Sequence, residues 1–219
     1  MGLSFTEENY IKQIYRLSKP GVPVTTNAIA NCIQTKASSV TDMLDKLAVK
    51  KLVEYEKYKG VSLTTLGKKT ALLIVRKHRL WEVFLVQKLG FTWDKVHEIA
   101  EQLEHIQSDE LIDKLDAFLG HPKFDPHGEP IPDAQGKVKN QKLKLLSECV
   151  TGSQCTITEV NDDSASFLQH LDKTGLKLGH ELEIAEVVDY DKSLSVVING
   201  KKNIFISQHI AKNILVTLK

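Results

Sequence analysis

The hydrophobic pattern of this chain changes period near Cys149, and that change limits what the chain can fold into. Before Cys149, apolar residues recur at three- and four-residue intervals, which is typical of amphipathic helices. After it, short runs rich in β-branched residues alternate with turn signals, and Asn199-Gly200 has the form of a two-residue hairpin turn. The pattern predicts a mainly α chain that ends in a small β-barrel of about 70 residues.

Two short helices joined by a tight turn are predicted after a first helix at residues 4–18. They span residues 27–33 and a segment capped by Ser38 and Ser39, and a basic hairpin follows at residues 52–63. This order is typical of a winged helix-turn-helix, although a helical core fragment followed by an ordinary hairpin is the alternative. The candidate DNA contacts are the polar face of the second helix and the flanking lysines: Lys36, Ser38, Ser39, Thr41, Asp42, Lys46, Lys57 and Lys59.

Candidate metal ligands concentrate in the middle of the chain. A helix predicted from Thr92 to Gln107 would bring four of them within roughly 100° of one face: His97, Glu101, Glu104 and His105. His78 and Glu82 stand at i and i+4 on the preceding helix, a spacing that lets two side chains bind one ion. Such groups repel or lose charge unless a cation lies among them, so Mn²⁺, Fe²⁺, Co²⁺ or Zn²⁺ is indicated. The alternative is a solvated polar helix face.

Charge is segregated along the chain even though its overall net charge is +1. Residues 1–80 carry 14 Lys and Arg against 6 Asp and Glu, whereas residues 81–133 carry 4 against 12. Residues 134–219 are nearly balanced, with 11 against 10. The basic first part favours a polyanion partner, and the acidic middle part favours cations.

No apolar run is long enough to span a bilayer, and the first residues lack the features of a signal peptide. We therefore expect a cytoplasmic protein with no membrane partner, whose three cysteines are reduced and two of which lie in the core or in strands. The helices after residue 64 carry more apolar residues than a small winged domain can cover, which predicts a homodimer. The expected domains are 1–64, 65–133 and 149–219, with a linker at 134–148.

Three segments together resemble the diphtheria toxin repressor and manganese transport regulator family. The first is Glu8-Asn9-Tyr10-Ile11 with the helix-turn-helix. The second joins Arg76-Lys77-His78-Arg79-Leu80-Trp81-Glu82 to the segment 96–105, and the third is Asp125-Pro126-His127-Gly128-Glu129-Pro130-Ile131-Pro132. The segment from Lys177 to Ile184 is similar to the SH3-like, FeoA-like domain of that family.

The resemblance implies two metal sites. The main site would use His78, Glu101, Glu104 and His105, with Asn9 where the family usually has a methionine or aspartate ligand. Glu101 stands where manganese-sensing members have glutamate, and Lys12 makes a two-ion site doubtful. The second site would use Glu82, His97, Asp125, His127 and Asp163.

The expected function is a metal-dependent transcriptional repressor, not an enzyme, that controls metal-ion homeostasis. Loaded with Mn²⁺ or Fe²⁺, the dimer would bind a palindromic DNA operator, Zn²⁺ or Co²⁺ could substitute in vitro, and no small-molecule substrate is expected. Glu104→Ala is expected to abolish the metal response and to leave a folded dimer. Two alternatives stay open: a metal-dependent hydrolase, which the absence of an HExxH motif disfavours, and a metal-independent winged-helix regulator.

Overall fold

A computed structural model describes residues 2–139 and 141–219. Their contacts divide them into two compact units. The first unit comprises residues 2–79, 101–114 and 132–138, and the second comprises residues 80–100, 115–131, 139 and 141–219. The division follows contacts in space, so three of the helices in the middle of the chain contribute residues to both units.

The first unit contains a winged helix-turn-helix. Helix α1 (Phe5–Leu17) begins with the expected capping box, in which Ser4 and Glu7 exchange side-chain to backbone hydrogen bonds. Helices α2 (Thr26–Ile33) and α3 (Ala37–Val49) follow, and strands β1 (Val53–Glu56) and β2 (Gly60–Leu63) form the antiparallel wing. Their apolar faces share one core, which includes Ile11, Ile14, Ile29, Val40, Leu44, Leu47 and Val61.

Helix α3 begins earlier than the sequence predicts. Its N-cap residue is Lys36, so Ser38 and Ser39 lie inside the first turn and do not cap the helix. The reason is local geometry: Gln34 ends α2 in the left-handed conformation, with φ of 57°, and α3 begins three residues later at Ala37. The two serines are exposed on the outer surface.

The middle of the chain is helical. Helix α4 (Thr65–Leu89) begins where Thr64 accepts a hydrogen bond from the backbone N–H of Gly67. A 3₁₀ turn (Trp93–Lys95) precedes helix α5 (His97–Leu103), and helix α6 (Asp109–Phe118) follows. The single helix predicted for residues 92–107 is therefore wrong at both ends, and Glu104 and His105 lie in the turn after α5.

The second unit contains an antiparallel sheet of six strands. They are β3 (Lys144–Leu145), β4 (Gln154–Val160), β5 (Glu181–Val187), β6 (Leu194–Ile198), β7 (Lys202–Ile206) and β8 (Ile214–Leu218). The spatial order is β3-β8-β4-β5-β6-β7, with helix α7 (Ala165–Thr174) after β4 and helix α8 (Gln208–Ala211) after β7. Asn199 and Gly200 both have positive φ and lie in the hairpin between β6 and β7, but Ile198 pairs with Lys202, so the loop has three residues and not the predicted two. The pairings of the described strands do not close a barrel.

Two of the three cysteines are buried in the core of the second unit, as expected. Cys149 and Cys155 pack there with Leu146, Ile157 and Val216, whereas Cys32 is exposed, and all three are free thiols. In the described part of the chain, no helix has the length and apolar character needed to cross a membrane.

Candidate metal centres

The first unit brings one cluster of imidazole and carboxylate groups together from three elements. Helix α1 contributes Glu8, helix α4 contributes His78, and the end of α5 with the following turn contributes Glu101, Glu104 and His105. Four of these five residues are the predicted protein ligands of the main site. We call these five residues, together with Lys12, the α1 cluster.

Glu104 lies at the centre of the α1 cluster and is completely buried. One carboxylate oxygen, Oε2, lies 2.6 Å from His78 Nδ1, and the other, Oε1, accepts a hydrogen bond of 2.6 Å from Lys12 Nζ. The same ammonium group lies 3.3 Å from Glu101 Oε1. Burial raises the pKa of Glu104, but the hydrogen bond with His78 and the charge of Lys12 outweigh it, so the pKa lies below its usual value.

His105 is held against α1 by Glu8, a residue that the sequence did not single out. His105 Nδ1 lies 2.6 Å from Glu8 Oε2, and Glu8 Oε1 accepts a hydrogen bond of 2.9 Å from Gln107. The ring of Phe5 stacks on the His105 ring at 4.7 Å between centroids. Asn9, predicted as a ligand, is exposed, whereas Glu8 is buried.

The sequence contained a signal that Glu8, and not its neighbour Asn9, faces the α1 cluster. Glu8 and Lys12 are four residues apart, so they lie on one face of α1, and Asn9 is rotated about 100° from Glu8. A helix start fixed by the Ser4 and Glu7 capping box is enough to define that face. The structure therefore favours Glu8 over Asn9 as the donor from α1.

The second unit assembles all five residues predicted for the second site. Glu82 of α4 contacts two histidines. Its Oε1 lies 3.5 Å from His97 Nδ1, and its Oε2 lies 3.4 Å from His127 Nδ1. His97 Nδ1 also lies 3.3 Å from Asp163 Oδ2, in the loop between β4 and α7. Glu82, Asp125 and His127 are all buried and each offers a ligand atom within 4.8 Å of the others. We call all five residues, Glu82, His97, Asp125, His127 and Asp163, the Glu82 cluster.

The loop that carries His127 is fixed by several backbone contacts. Asp125 Oδ1 accepts hydrogen bonds from the backbone N–H groups of His127 and Glu129, and the carbonyl of His127 accepts one from Val160 in β4. Gly128 has φ of +88°, and a Cβ there would lie 2.0 Å from the carbonyl oxygen of Thr158, so only glycine fits. The segment of residues 125–132, which we call the proline loop, therefore lies directly against β4.

The His127 ring is oriented in the way expected of a metal ligand. Its Nε2 lies 3.1 Å from the carbonyl oxygen of Trp93, which directs Nδ1 toward Glu82. Burial by itself lowers the pKa of His127, but the hydrogen bond and charge of Glu82, with the charge of Asp125, raise the pKa to about 9. The raised pKa means that the His127 ring keeps its proton beside Glu82 at neutral pH.

The donor sets of both clusters fit a divalent metal ion. Each combines imidazole nitrogen with several carboxylate oxygens in a largely buried place, which suits Mn²⁺, Fe²⁺, Co²⁺ and Zn²⁺ and does not suit Cu⁺. His97 was predicted to share a helix face with Glu101, Glu104 and His105. His97 and Glu101 do lie four residues apart on α5, but Glu104 and His105 lie beyond its end, and His97 contacts Glu82 and Asp163.

The candidate DNA contacts are on the outside of the first unit. Seven of the eight are exposed: Lys36, Ser38, Ser39, Asp42, Lys46, Lys57 and Lys59. Thr41 is half-buried and its hydroxyl donates to the carbonyl of Ala37 at 3.1 Å. On the wing, Lys59 lies 2.6 Å from Glu56, and Tyr58 between the two wing lysines is 94% exposed.

Comparison with known proteins identifies the family. Residues 2–61 match the family described as iron dependent repressor, N-terminal DNA binding domain, and residues 64–133 match the iron dependent repressor, metal binding and dimerisation domain. The iron-dependent repressor IdeR of Mycobacterium leprae is 30% identical over 183 residues, which cover 78% of this chain and 80% of IdeR. This chain belongs to the iron-dependent repressor family. Its residues 144–218 also match the FeoA domain.

Other repressors are similar to this chain over most of their length. The diphtheria toxin repressor of Corynebacterium diphtheriae is 29% identical over 208 residues, covering 90% of each chain. A solved structure described as a manganese-dependent transcriptional repressor complex with manganese is 34% identical. It superposes with a TM-score of 0.91 over 97% of this chain and 100% of its own. The family consists of transcriptional repressors and not of enzymes, which argues against the hydrolase alternative.

Proposed function

We propose that this member of the repressor family binds an operator in double-stranded DNA as a homodimer when Mn²⁺ or Fe²⁺ occupies the α1 cluster. The observation that carries the proposal is that α1 belongs to both the DNA-binding core and the cluster. Ile11 and Ile14 pack into the helix-turn-helix core, while Glu8 contacts His105 of the cluster. Any change in the cluster therefore acts on the helix against which α2 packs.

The proposed ligands of the main site are Glu8, His78, Glu101, Glu104 and His105, with Glu8 in place of Asn9. A bound divalent cation would supply the positive charge that draws these carboxylates and imidazoles together. Glu104 and His105 hold the turn after α5, and Glu8 holds α1 beside it. Fixing α1 in this way orients α3, whose polar face would read the bases, and the wing lysines, which would contact phosphates.

The proposed dimer would present two α3 helices to successive major grooves, about 34–36 Å apart. A coupling of about 1–3 kcal/mol between metal and DNA binding changes affinity by roughly 5–150-fold, which is enough for a switch. Apolar side chains on the second unit support a subunit interface: Leu89 is 56% exposed and Phe118 is 63% exposed. The operator would be two-fold symmetric because the dimer is.

The Glu82 cluster is proposed as the second metal site, with Glu82, His97, Asp125, His127 and Asp163 as ligands. The SH3-like closure of the FeoA domain, the domain boundaries and the cytoplasmic location remain predictions. Regulation of metal-ion homeostasis is proposed because a repressor that needs a metal reports on its concentration.

DNA binding over a metal series at buffered free concentrations tests the proposal. Mn²⁺ or Fe²⁺ should promote binding of the full-length protein to a symmetric operator selected from random DNA, and a chelator should reverse it. Equal affinity with metal and with excess chelator would contradict the proposal and favour the metal-independent regulator.

A further inference from the structure

Lys12 is a buried cation inside the proposed main metal site. Its side chain is 4% exposed, and its ammonium nitrogen lies 2.6 Å from Glu104 and 3.3 Å from Glu101. Both carboxylates belong to the ligand set proposed above. A lysine is rarely buried unless a carboxylate pairs with it, so this contact is part of what holds the α1 cluster together.

We propose that Lys12 acts as the resident cation of the main site and sets the metal concentration at which the protein responds. In the metal-free protein its ammonium group holds Glu101 and Glu104 together. A divalent cation must compete with that ammonium group for the same carboxylate oxygens. This inference rests on the proposed metal site and adds a residue that tunes its affinity.

The geometry makes the competition direct. Glu104 offers only two oxygens, and Oε2 already faces His78 Nδ1 at 2.6 Å. The remaining oxygen, Oε1, is the one that Lys12 contacts, and it also lies 4.0 Å from His105 Nε2. A divalent cation held by Glu104 and His105 would compete with Lys12 for Oε1 and would move its ammonium group away. The flexible four-carbon stem of lysine permits such a movement.

The charges also favour a single divalent ion. The cluster holds three carboxylates, from Glu8, Glu101 and Glu104, and Lys12 supplies one positive charge. One divalent cation with Lys12 still nearby would balance these carboxylates, while a second divalent cation would leave an excess of positive charge in a buried place. Lys12 thus weakens the binding of the first divalent ion and opposes the binding of a second.

Lys12→Met and Lys12→Gln test this proposal, because both remove the charge and keep most of the stem. All proteins, including the reference, carry Glu82→Gln so that only the main site is measured. Lys50→Met is the matched control. The ammonium group of Lys50 lies 2.6 Å from Glu7, which is on α1 like Lys12 but outside the α1 cluster. Mn²⁺ alone is the probe, titrated in competition with a fluorescent chelator, and thermal unfolding is followed without metal.

The Lys12 variants should bind Mn²⁺ about tenfold more tightly or better, with one ion per chain, and should melt at a lower temperature without metal. Lys50→Met should change the Mn²⁺ affinity by less than about twofold, because Lys50 pairs with Glu7 and contacts none of the proposed ligands. A purely structural role for Lys12 would lower the melting temperature and leave Mn²⁺ affinity unchanged or reduced, and that result in both variants would overturn the proposal.

Three further outcomes distinguish the role of Lys12 from the proposed function. If Lys12→Met is unfolded without metal, recovery of its helical circular dichroism by Mn²⁺ at concentrations below those that saturate the reference supports the proposal, and failure to recover in both variants contradicts it. If the reference protein binds no Mn²⁺, the proposed metal-dependent function itself fails. If the reference binds and the Lys12 variants bind equally, only the role of Lys12 fails.

Discussion

His78 Nδ1 lies 2.6 Å from Glu104 Oε2, and this contact joins helix α4 to the turn after α5 across 26 residues of sequence. Glu104 is completely buried and also accepts a hydrogen bond from Lys12, so one carboxylate links three separate segments. Its removal therefore affects both metal binding and packing.

Glu104→Ala should abolish the metal response and also destabilise the protein by about 3–5 kcal/mol, because it leaves the buried Lys12 charge without its closest partner. This differs from the expectation from sequence alone, in which the variant stays fully folded. Glu104→Gln should also lose Mn²⁺ binding but retain more stability, since it preserves volume and an acceptor. Urea unfolding and Mn²⁺ titration measure the two effects, with the exposed Glu98→Ala as the control. Wild-type Mn²⁺ affinity in Glu104→Gln would refute the ligand assignment.

Glu8→Gln should weaken Mn²⁺ binding by about 10–100-fold, whether Glu8 binds the ion or orients His105, because both roles need its negative charge. Asn9→Ala should leave the affinity within about twofold of wild type, because Asn9 is exposed. Calorimetric titration of both variants in the same buffer compares them directly. A larger effect from Asn9 than from Glu8 would restore Asn9 as the ligand from α1.

Glu82→Ala and Asp163→Ala should each remove one bound metal ion per chain and only partly reduce DNA binding. Both side chains contact His97, so loss of the metal ion should also loosen the FeoA domain. The 134–148 segment of each variant should then be cut faster by protease than that of the wild type when metal is present. Asp162→Ala is the control, because Asp162 accepts a hydrogen bond from the backbone of Ser164 and lies next to the cluster. Unchanged metal stoichiometry in Asp163→Ala would mean that Asp163 is not a ligand.

Metal binding to the Glu82 cluster should release a proton from His127 at pH 7. The pKa of His127 is raised from 6.5 to about 9, so the folded metal-free protein holds a proton there that a metal ion must replace. Because the folded pKa is the higher one, the stability that this proton adds is complete below pH 6.5 and is lost as pH rises through 9. Calorimetry in buffers of different ionisation enthalpy should show about one proton fewer released by His127→Gln. Equal proton release by wild type and variant would contradict the assignment.

Lys57→Ala should weaken DNA binding about equally for all sequences and reduce the slope of log affinity against log salt by roughly 1, as expected for loss of one phosphate contact. Lys57 lies on the exposed wing beside Tyr58. Lys173→Ala, on an exposed position of α7, serves as the charge-matched control. Fluorescence anisotropy at several salt concentrations with saturating Mn²⁺ gives the slope. An unchanged slope would place the wing away from the phosphates.

Local pattern was sufficient for much of the fold. The Ser4 and Glu7 capping box, the apolar spacing of α1 to α3 and the position of the hairpin at Asn199-Gly200 depend on residues close together in sequence. The first two are confirmed, and the hairpin lies where it was predicted but with a loop of three residues. The five residues that meet around Glu82 were implied by the family resemblance and not by local pattern. Short strands such as β3 and the last strand, β8, were missed, because their pairing partner is distant in sequence.

Tertiary contacts alone decided how the candidate ligands divide between the two clusters. The segment 97–107 contains no glycine or proline, so helical periodicity could not show that α5 ends at Leu103. Contacts with His78 and Glu8 hold Glu104 and His105 in the turn beyond it, while His97 meets Glu82. Periodicity predicts which residues share a face of one helix. It does not predict which residue pairs with a buried charge, because that pairing is stabilised by contacts between segments that are distant in sequence. Lys12 lies against Glu104 for that reason, 92 residues away in sequence.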